Sequence, residues 1–154
     1  MARVGLDRLE YLVERLAREL DMSSSSITGL GNPVVSIIGS GTTRVLTGAD
    51  SGAIVRMGGS NASTATLPAA VAGLNFRFVA ATEHAHVING GATKIQGGYH
   101  HNTNAATVAR VAVVDRSSLA LHSSNAKIGD TLDMWCDGTN WYVSGIVNNA
   151  ITQS

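Results

Sequence analysis

Cysteine, charge and aromatic residues are all scarce in this sequence. The 154 residues include one cysteine, Cys136, so no internal disulfide can form and folding does not depend on an oxidising compartment. Charged residues make up 14% of the chain, and the formal net charge is zero. Proteins that act on nucleic acids or membrane surfaces usually present a basic face, so we expect neither as a partner.

A long apolar run is also missing from the N-terminus. Charged side chains are spread through residues 1–20, where they interrupt the apolar core that a signal peptide or membrane span needs. We therefore expect the chain to be made and folded in a cytoplasm. A neutral, weakly charged surface suits a protein that packs against neighbours, and this favours a homo-oligomer.

The N-terminal residues carry the pattern of an amphipathic helix. Apolar residues recur at alternating spacings of three and four, at Leu6, Leu9, Val13, Leu16 and Leu20. This spacing predicts an α-helix within residues 1–22 that buries one face, and we call the five residues the seam. A short helix is marginal alone in water, so the seam has to be covered by sister chains, by a partner or by the chain's own β domain. We interpret it as an assembly or anchoring element.

Residues 23–33 combine serines with a Gly, Asn and Pro cluster, which predicts a linker. From residue 34 onward, short runs rich in Val, Ile and Thr alternate with turn residues, without an evident internal repeat. The pattern predicts an antiparallel β-sandwich or barrel-like domain over residues 34–154. The predicted strands cover residues 34–38, 43–46, 53–57, 65–67, 75–80, 84–88, 93–95, 108–115, 118–122, 131–136 and 141–147.

No residue pattern in the chain predicts catalysis. Asp50 and Asp137 lie in Asp-Ser-Gly and Asp-Gly turns, where a carboxylate commonly accepts hydrogen bonds from nearby backbone N–H groups. The chain lacks a nucleophile elbow and a phosphate-binding loop. Cys136 is interpreted as a small core residue. We therefore expect no enzymatic activity and no cofactor.

Two sets of side chains are candidate binding groups. His84 and His86 lie two residues apart on a predicted strand, so both side chains would face one side. On the axis of a trimer they would bind a transition metal. The favoured interpretation is that they bind none. Tyr99 and Trp141 are candidates for stacking on a sugar or on a partner. The alternative for Trp141 is packing across the hairpin against Trp135.

Four segments of the chain, taken in order, resemble a known protein module. They are residues 46–57 (LTGADSGAIVRM), 65–79 (ATLPAAVAGLNFRFV), 128–145 (IGDTLDMWCDGTNWYVSG) and 150–152 (AIT). Together they are similar to a recurrent β module of tailed-phage virion proteins, found in head-decoration and other surface proteins and often trimeric. The resemblance covers about residues 46–152. It implies a structural role without catalytic residues, and it leaves the predicted helix outside.

The resemblance leads to one favoured function and one alternative. The favoured function is a capsid decoration (cement) protein, a homotrimer that bridges capsomers on the virion surface and binds the major capsid protein. It would be made in the host cytoplasm. The alternative is a tail-fibre or receptor-binding module whose β domain binds a glycan. Fibre proteins are usually longer, with repetitive shaft segments, so a chain of one helix and one β domain favours decoration. A phage-tail hydrolase is disfavoured because no catalytic constellation is evident.

Overall fold

The computed structural model describes residues 32–38, 41–103, 107–121 and 127–154. The predicted helix with its seam, Leu6, Leu9, Val13, Leu16 and Leu20, lies outside the described residues, as does the linker up to residue 31. The structure therefore lends the helix no support, and it stays a prediction. Within the described ranges, no helix has the length and apolar character needed to cross a membrane.

The described part of the chain is mainly β, as predicted. The strands are β1 (Val34–Ile38), β2 (Thr43–Val45), β3 (Ile54–Gly58), β4 (Thr64–Thr66), β5 (Asn75–Ala80), β6 (Val87–Asn89), β7 (Ile95–Thr103), β8 (Thr107–Arg116), β9 (Ser118–Ala120), β10 (Thr131–Cys136), β11 (Trp141–Val147) and β12 (Thr152–Gln153). A single 3₁₀ turn, Gly48–Asp50, is described between β2 and β3. One sheet has seven strands in the order β1-β3-β5-β10-β11-β7-β8, and the other has five in the order β12-β9-β6-β4-β2.

The first six strands wind alternately through the two sheets. Strands β1, β3 and β5 lie side by side and parallel in the larger sheet, while β2, β4 and β6 do the same in the smaller one. Val34 pairs with Ile54 and Ile54 with Arg77, so successive windings are 20 and 23 residues apart. The prediction of an antiparallel domain is therefore wrong. A chain that crosses to the opposite sheet after every strand returns to the first sheet in the same direction, which makes neighbours parallel.

The later strands complete both sheets with mixed pairing. After β6 the chain runs to β7, and the β10–β11 hairpin fills the space between β5 and β7. Strand β10 is antiparallel to β5, β11 is parallel to β7, and β7 is antiparallel to β8. Strands β9 and β12 extend the smaller sheet next to β6. The result is two mixed sheets in a sandwich-like arrangement.

One hydrophobic core draws on both sheets. Alternate residues of the larger sheet, such as Val55, Phe78 and Met134, are buried together with Ile88 and Leu119 from the smaller sheet. This two-residue alternation leaves the opposite side of the larger sheet facing solvent, and we call that side the outer face. Its residues form the candidate site.

Several predicted strands have the predicted bounds, and others do not. The strands at 34–38, 75–80, 131–136 and 141–147 are confirmed. The strand predicted at 84–88 begins only at Val87, and β12 was not predicted. The largest error concerns β7, for which only residues 93–95 were predicted as strand, whereas the strand runs from Ile95 to Thr103 through a Gly-Gly pair. Gly97 fits within this strand because its φ is 118° and β11 approaches its backbone closely.

Candidate functional site

Tyr99 and Trp141, the predicted sugar-stacking residues, are both fully buried, so that prediction is wrong. The Trp141 indole packs against Phe76, with 5.7 Å between ring centroids, and its Nε1–H donates to the Pro68 carbonyl at 3.3 Å. The Tyr99 hydroxyl accepts a hydrogen bond from the Ile151 N–H at 3.0 Å. Strand alternation turns both rings toward the core, where their polar atoms find backbone partners.

His84 and His86 precede β6 and do not lie on a strand, so the basis for pairing them on one side is wrong. The His86 ring is fully buried, and its Nδ1 accepts the Ser63 N–H at 3.1 Å. The neutral ring therefore carries its proton on Nε2, which lies 3.2 Å from the Thr82 carbonyl oxygen. Both nitrogens thus hold neighbouring segments together. No group of three or more potential metal ligands is found among the described residues.

Protonation of His86 should destabilise the domain in mildly acidic solution. Burial is the main cause that lowers the pKa of the His86 imidazole below its ordinary 6.5; the bond to Thr82 opposes this, and nearby His84 adds to it. Below about pH 6.5 the unfolded chain binds a proton more readily than the folded chain, so the free energy of unfolding should fall as the pH drops toward the folded pKa. Above about pH 6.5 this group should contribute no slope.

Urea unfolding measured across this pH range checks the expectation. His86→Gln should remove most of the dependence of the free energy of unfolding on pH, whereas His84→Gln should leave most of that dependence in place. The carboxylates with lowered pKa, Asp50 and Asp137, act only near and below their ordinary value of 3.8, which keeps the two effects apart. A slope that survives unchanged in His86→Gln would contradict the assignment.

Asp50 and Asp137 hold turns, as predicted. The Asp137 carboxylate accepts N–H bonds from Thr139 at 2.7 Å and Asn140 at 2.8 Å, and the Tyr142 hydroxyl donates to it at 3.0 Å. The N–H donors, that of Asn140 foremost, lower the pKa of the Asp137 carboxyl. Asp50 accepts bonds from the backbone N–H and the hydroxyl of Thr47, both at 2.8 Å. These contacts fix both carboxylates in local turn geometry.

The exposed aromatic pair of the outer face is Trp135 and Tyr142. They face each other across the β10–β11 hairpin, with ring centroids 4.4 Å apart and an interplanar angle of 15°. Trp135 is 49% exposed although it is one of the largest apolar side chains. The bond from the Tyr142 hydroxyl to Asp137 fixes the second ring in position. We call this stacked pair the aromatic plates.

Beside the plates, the outer face carries a charged pair. The Arg77 guanidinium on β5 donates to both carboxylate oxygens of Asp133 on β10, at 2.6 Å and 3.1 Å. The two-point geometry matches the fork of arginine to the carboxylate. Both side chains remain about half exposed, so the pair contributes little to stability. Its effect is to neutralise this part of the face.

A row of small residues crosses the outer face next to the plates. Val143 pairs with Gly97 and Ile146 with His100, so Ser144 lies beside Gly98, which in turn pairs with Ala112 of β8. We call Ser144, Gly98 and Ala112 the trough. The side of the trough away from the aromatic plates is lined by Ile146, which is 68% exposed, and by the cross-strand pair of His100 and Arg110.

Comparison of the chain with protein families, with curated proteins and with solved structures found no match. No family is therefore assigned to it. The likeness to phage virion proteins stays a proposal.

The sequence contains a signal that places the aromatic plates outside. Leu132, Met134 and Cys136 alternate with Asp133 along β10, and the three apolar residues are buried. The Asp-Gly turn pairs Cys136 with Trp141. Trp135 is one residue further from the turn, so its side chain lies on the opposite side of the hairpin from Trp141. Alternation therefore assigns Trp135 to solvent and Trp141 to the core, the reverse of the predicted site.

Proposed function

We propose that this chain is a structural protein of a tailed-phage virion, most specifically a capsid decoration (cement) protein. In this role it acts as a homotrimer on the capsid surface and bridges capsomers by binding the major capsid protein. The observation that carries the proposal is the position in the fold of the segments that resemble phage virion proteins. Residues 46–57 lead from β2 into β3, residues 65–79 lead from β4 to β5, and residues 128–145 contain β10 and most of β11. The resemblance thus follows the units that build the core.

The surface of the described domain supports a non-enzymatic role. The candidate acids Asp50 and Asp137 accept hydrogen bonds within their own turns, which occupies the lone pairs that an acid–base pair would use. The buried imidazole of His86 is bonded through both ring nitrogens. The exposed outer face offers instead aromatic and polar groups suited to binding.

Location in the particle is the direct test of this proposal. Mass spectrometry of virions purified from the phage that encodes the chain should detect the protein, and cryo-electron microscopy should place it at symmetry-related positions on the head surface. Absence from purified virions would contradict the structural role. Density confined to the tail would contradict decoration and favour the receptor-binding alternative.

Charge placed in the seam should weaken assembly. In the predicted helix, Leu9→Asp with Leu16→Asp puts two carboxylates into a face that must be buried, where each leucine contributes on the order of 2 kcal/mol. We expect the trimer to dissociate or capsid binding to weaken, with the β domain still folded. Sedimentation velocity, capsid co-sedimentation and thermal unfolding measure the three quantities.

The matched control is Tyr11→Asp, which adds the same group on the opposite side of the predicted helix, half a turn from the seam at 3.6 residues per turn. It should leave assembly unchanged. A seam variant that keeps both its oligomeric state and its capsid binding would show that the seam has no assembly role.

A further inference from the structure

We propose that the trough on the outer face binds an acidic glycan, a sugar chain that carries carboxylate groups. The inference does not depend on the virion role, because it rests on the chemistry of three neighbouring features. These are the aromatic plates on one side, the small residues of the floor, and the cationic group above the floor.

The plates supply a stacking surface for sugar rings. Trp135 covers one face of the Tyr142 ring, so the other face of that ring is turned toward β7, one step along the strands from the trough. Gln96, the residue beside Tyr142 on β7, donates through its side-chain amide to Asp115 on β8 at 3.2 Å, so it leans away from the ring. An aromatic face that is apolar and fixed in place suits the C–H face of a pyranose.

The floor of the trough consists of small residues, which leaves the space above it to the Arg110 guanidinium and to a ring bound beside it. Gly98 has no side chain, and Ser144 and Ala112 on either side are small. Tyr142 and Gly98 are on adjacent strands and two residues out of register, which separates their Cα atoms by roughly 8 Å. That spacing accommodates one sugar ring between the plates and the groups beyond the floor. The Ser144 hydroxyl offers one hydrogen-bonding group to such a ring.

Arg110 gives the trough its preference for negative charge. A Cβ placed on Gly98 would lie 3.2 Å from the Arg110 Nη2, so the guanidinium extends from β8 over the floor. Among the described residues, no acidic side chain lies within ion-pair distance of Arg110, whereas Arg77 is neutralised by Asp133. A guanidinium binds carboxylates through two parallel N–H donors. His100 lies beside Arg110 and adds a further ring nitrogen.

The same face is poorly suited to docking a protein. Its exposed apolar residues include Val108 and Val114 on β8 as well as Trp135 and Ile146. The row that contains Asp133 and Ser144 separates Trp135 from Ile146, and Arg110 lies between Val108 and Val114 along β8. The ion pair of Arg77 and Asp133 lies in that row, and charged groups are depleted from the core of protein interfaces. An aromatic ring, small residues and one guanidinium in a narrow row match a single sugar chain better.

Binding to the full-length protein tests the proposal. The acidic probes are a galacturonic acid trimer and sialyllactose, and the neutral probes are a galactose trimer and lactose. Calorimetry and tryptophan fluorescence should detect binding of at least one acidic probe, with its neutral counterpart about tenfold weaker, as expected for loss of one charge-assisted contact. Tyr142→Ala, which removes the stacking face, should weaken binding of the acidic probe by about tenfold or more.

The charge is tested by a matched pair of variants. Arg110→Gln should reduce the affinity for the acidic probe to that of the neutral one, whereas Arg56→Gln should leave it unchanged. Arg56 is exposed on the same outer face, but its strand β3 lies four strands from β7. Failure of both acidic probes to bind, equal affinity for acidic and neutral probes, or equal effects of the two arginine variants would each overturn the proposal. If Trp135→Ala dissociates the oligomer and no sugar binds, the face is a protein interface and the proposal is wrong.

Discussion

Replacing Gly97 with alanine is expected to lower the free energy of unfolding by about 4 kcal/mol or more, or to prevent folding. The added Cβ would lie 2.4 Å from the Val143 carbonyl oxygen and 3.0 Å from the Val143 nitrogen. Both are backbone atoms of β11, so the collision can be relieved only by separating β7 from its neighbour. The φ of 118° adds strain of its own for a residue with a side chain.

Gly129→Ala is the control that isolates the collision. Gly129 has a similarly positive φ of 97°, yet nothing lies within 4 Å of the position its Cβ would take. Strain alone should cost about 1–3 kcal/mol there. Urea unfolding followed by far-UV circular dichroism measures both variants. Equal losses at the two positions would show that β7 and β11 do not approach as closely as the structure places them.

The positions of strands could be predicted from the sequence, but their order in the sheets could not. Runs of β-branched residues separated by turn residues identify β1, β5, β10 and β11 because these signals are local. The winding is not local. Val35, Val55 and Phe78 are stacked on successive parallel strands, although they differ in size and lie 20 and 23 residues apart. A two-residue period shows which side of a strand is apolar and does not show which sheet the strand joins.

The candidate site was missed for a related reason. The Asp-Gly turn fixes two aromatic positions, Trp135 and Trp141, on opposite sides of one hairpin. What buries one of them is Phe76 on β5 and the Pro68 carbonyl, both far away in sequence. The trough likewise depends on β7, whose Gly-Gly pair resembles a loop until β8 and β11 are placed on either side. Alternation alone assigns Trp135 to solvent, but the trough is assembled from β7, β8 and β11 and needs the sheet order to be known first.

The two tryptophans should differ sharply in their effect on stability. Trp141→Ala removes a fully buried indole that packs on Phe76, and it leaves the Pro68 carbonyl without this donor. Such truncations cost about 3–5 kcal/mol. Trp135→Ala removes a half-exposed ring whose stacking on Tyr142 is worth about 0.5–1.5 kcal/mol. Trp141→Phe keeps most of the buried ring and should fall between the two.

Unfolding in urea measures these differences, and fluorescence provides an independent check because the chain has two tryptophans. In Trp141→Phe, the remaining Trp135 should emit at long wavelength and be quenched by iodide, since half of its surface meets water. In Trp135→Phe, the remaining Trp141 should emit at shorter wavelength and resist quenching. Reversed quenching, or a larger loss of stability for Trp135→Ala than for Trp141→Ala, would mean that the hairpin presents its opposite side to solvent. In that case the trough would lie against the core, because Ser144 shares its side of β11 with Tyr142.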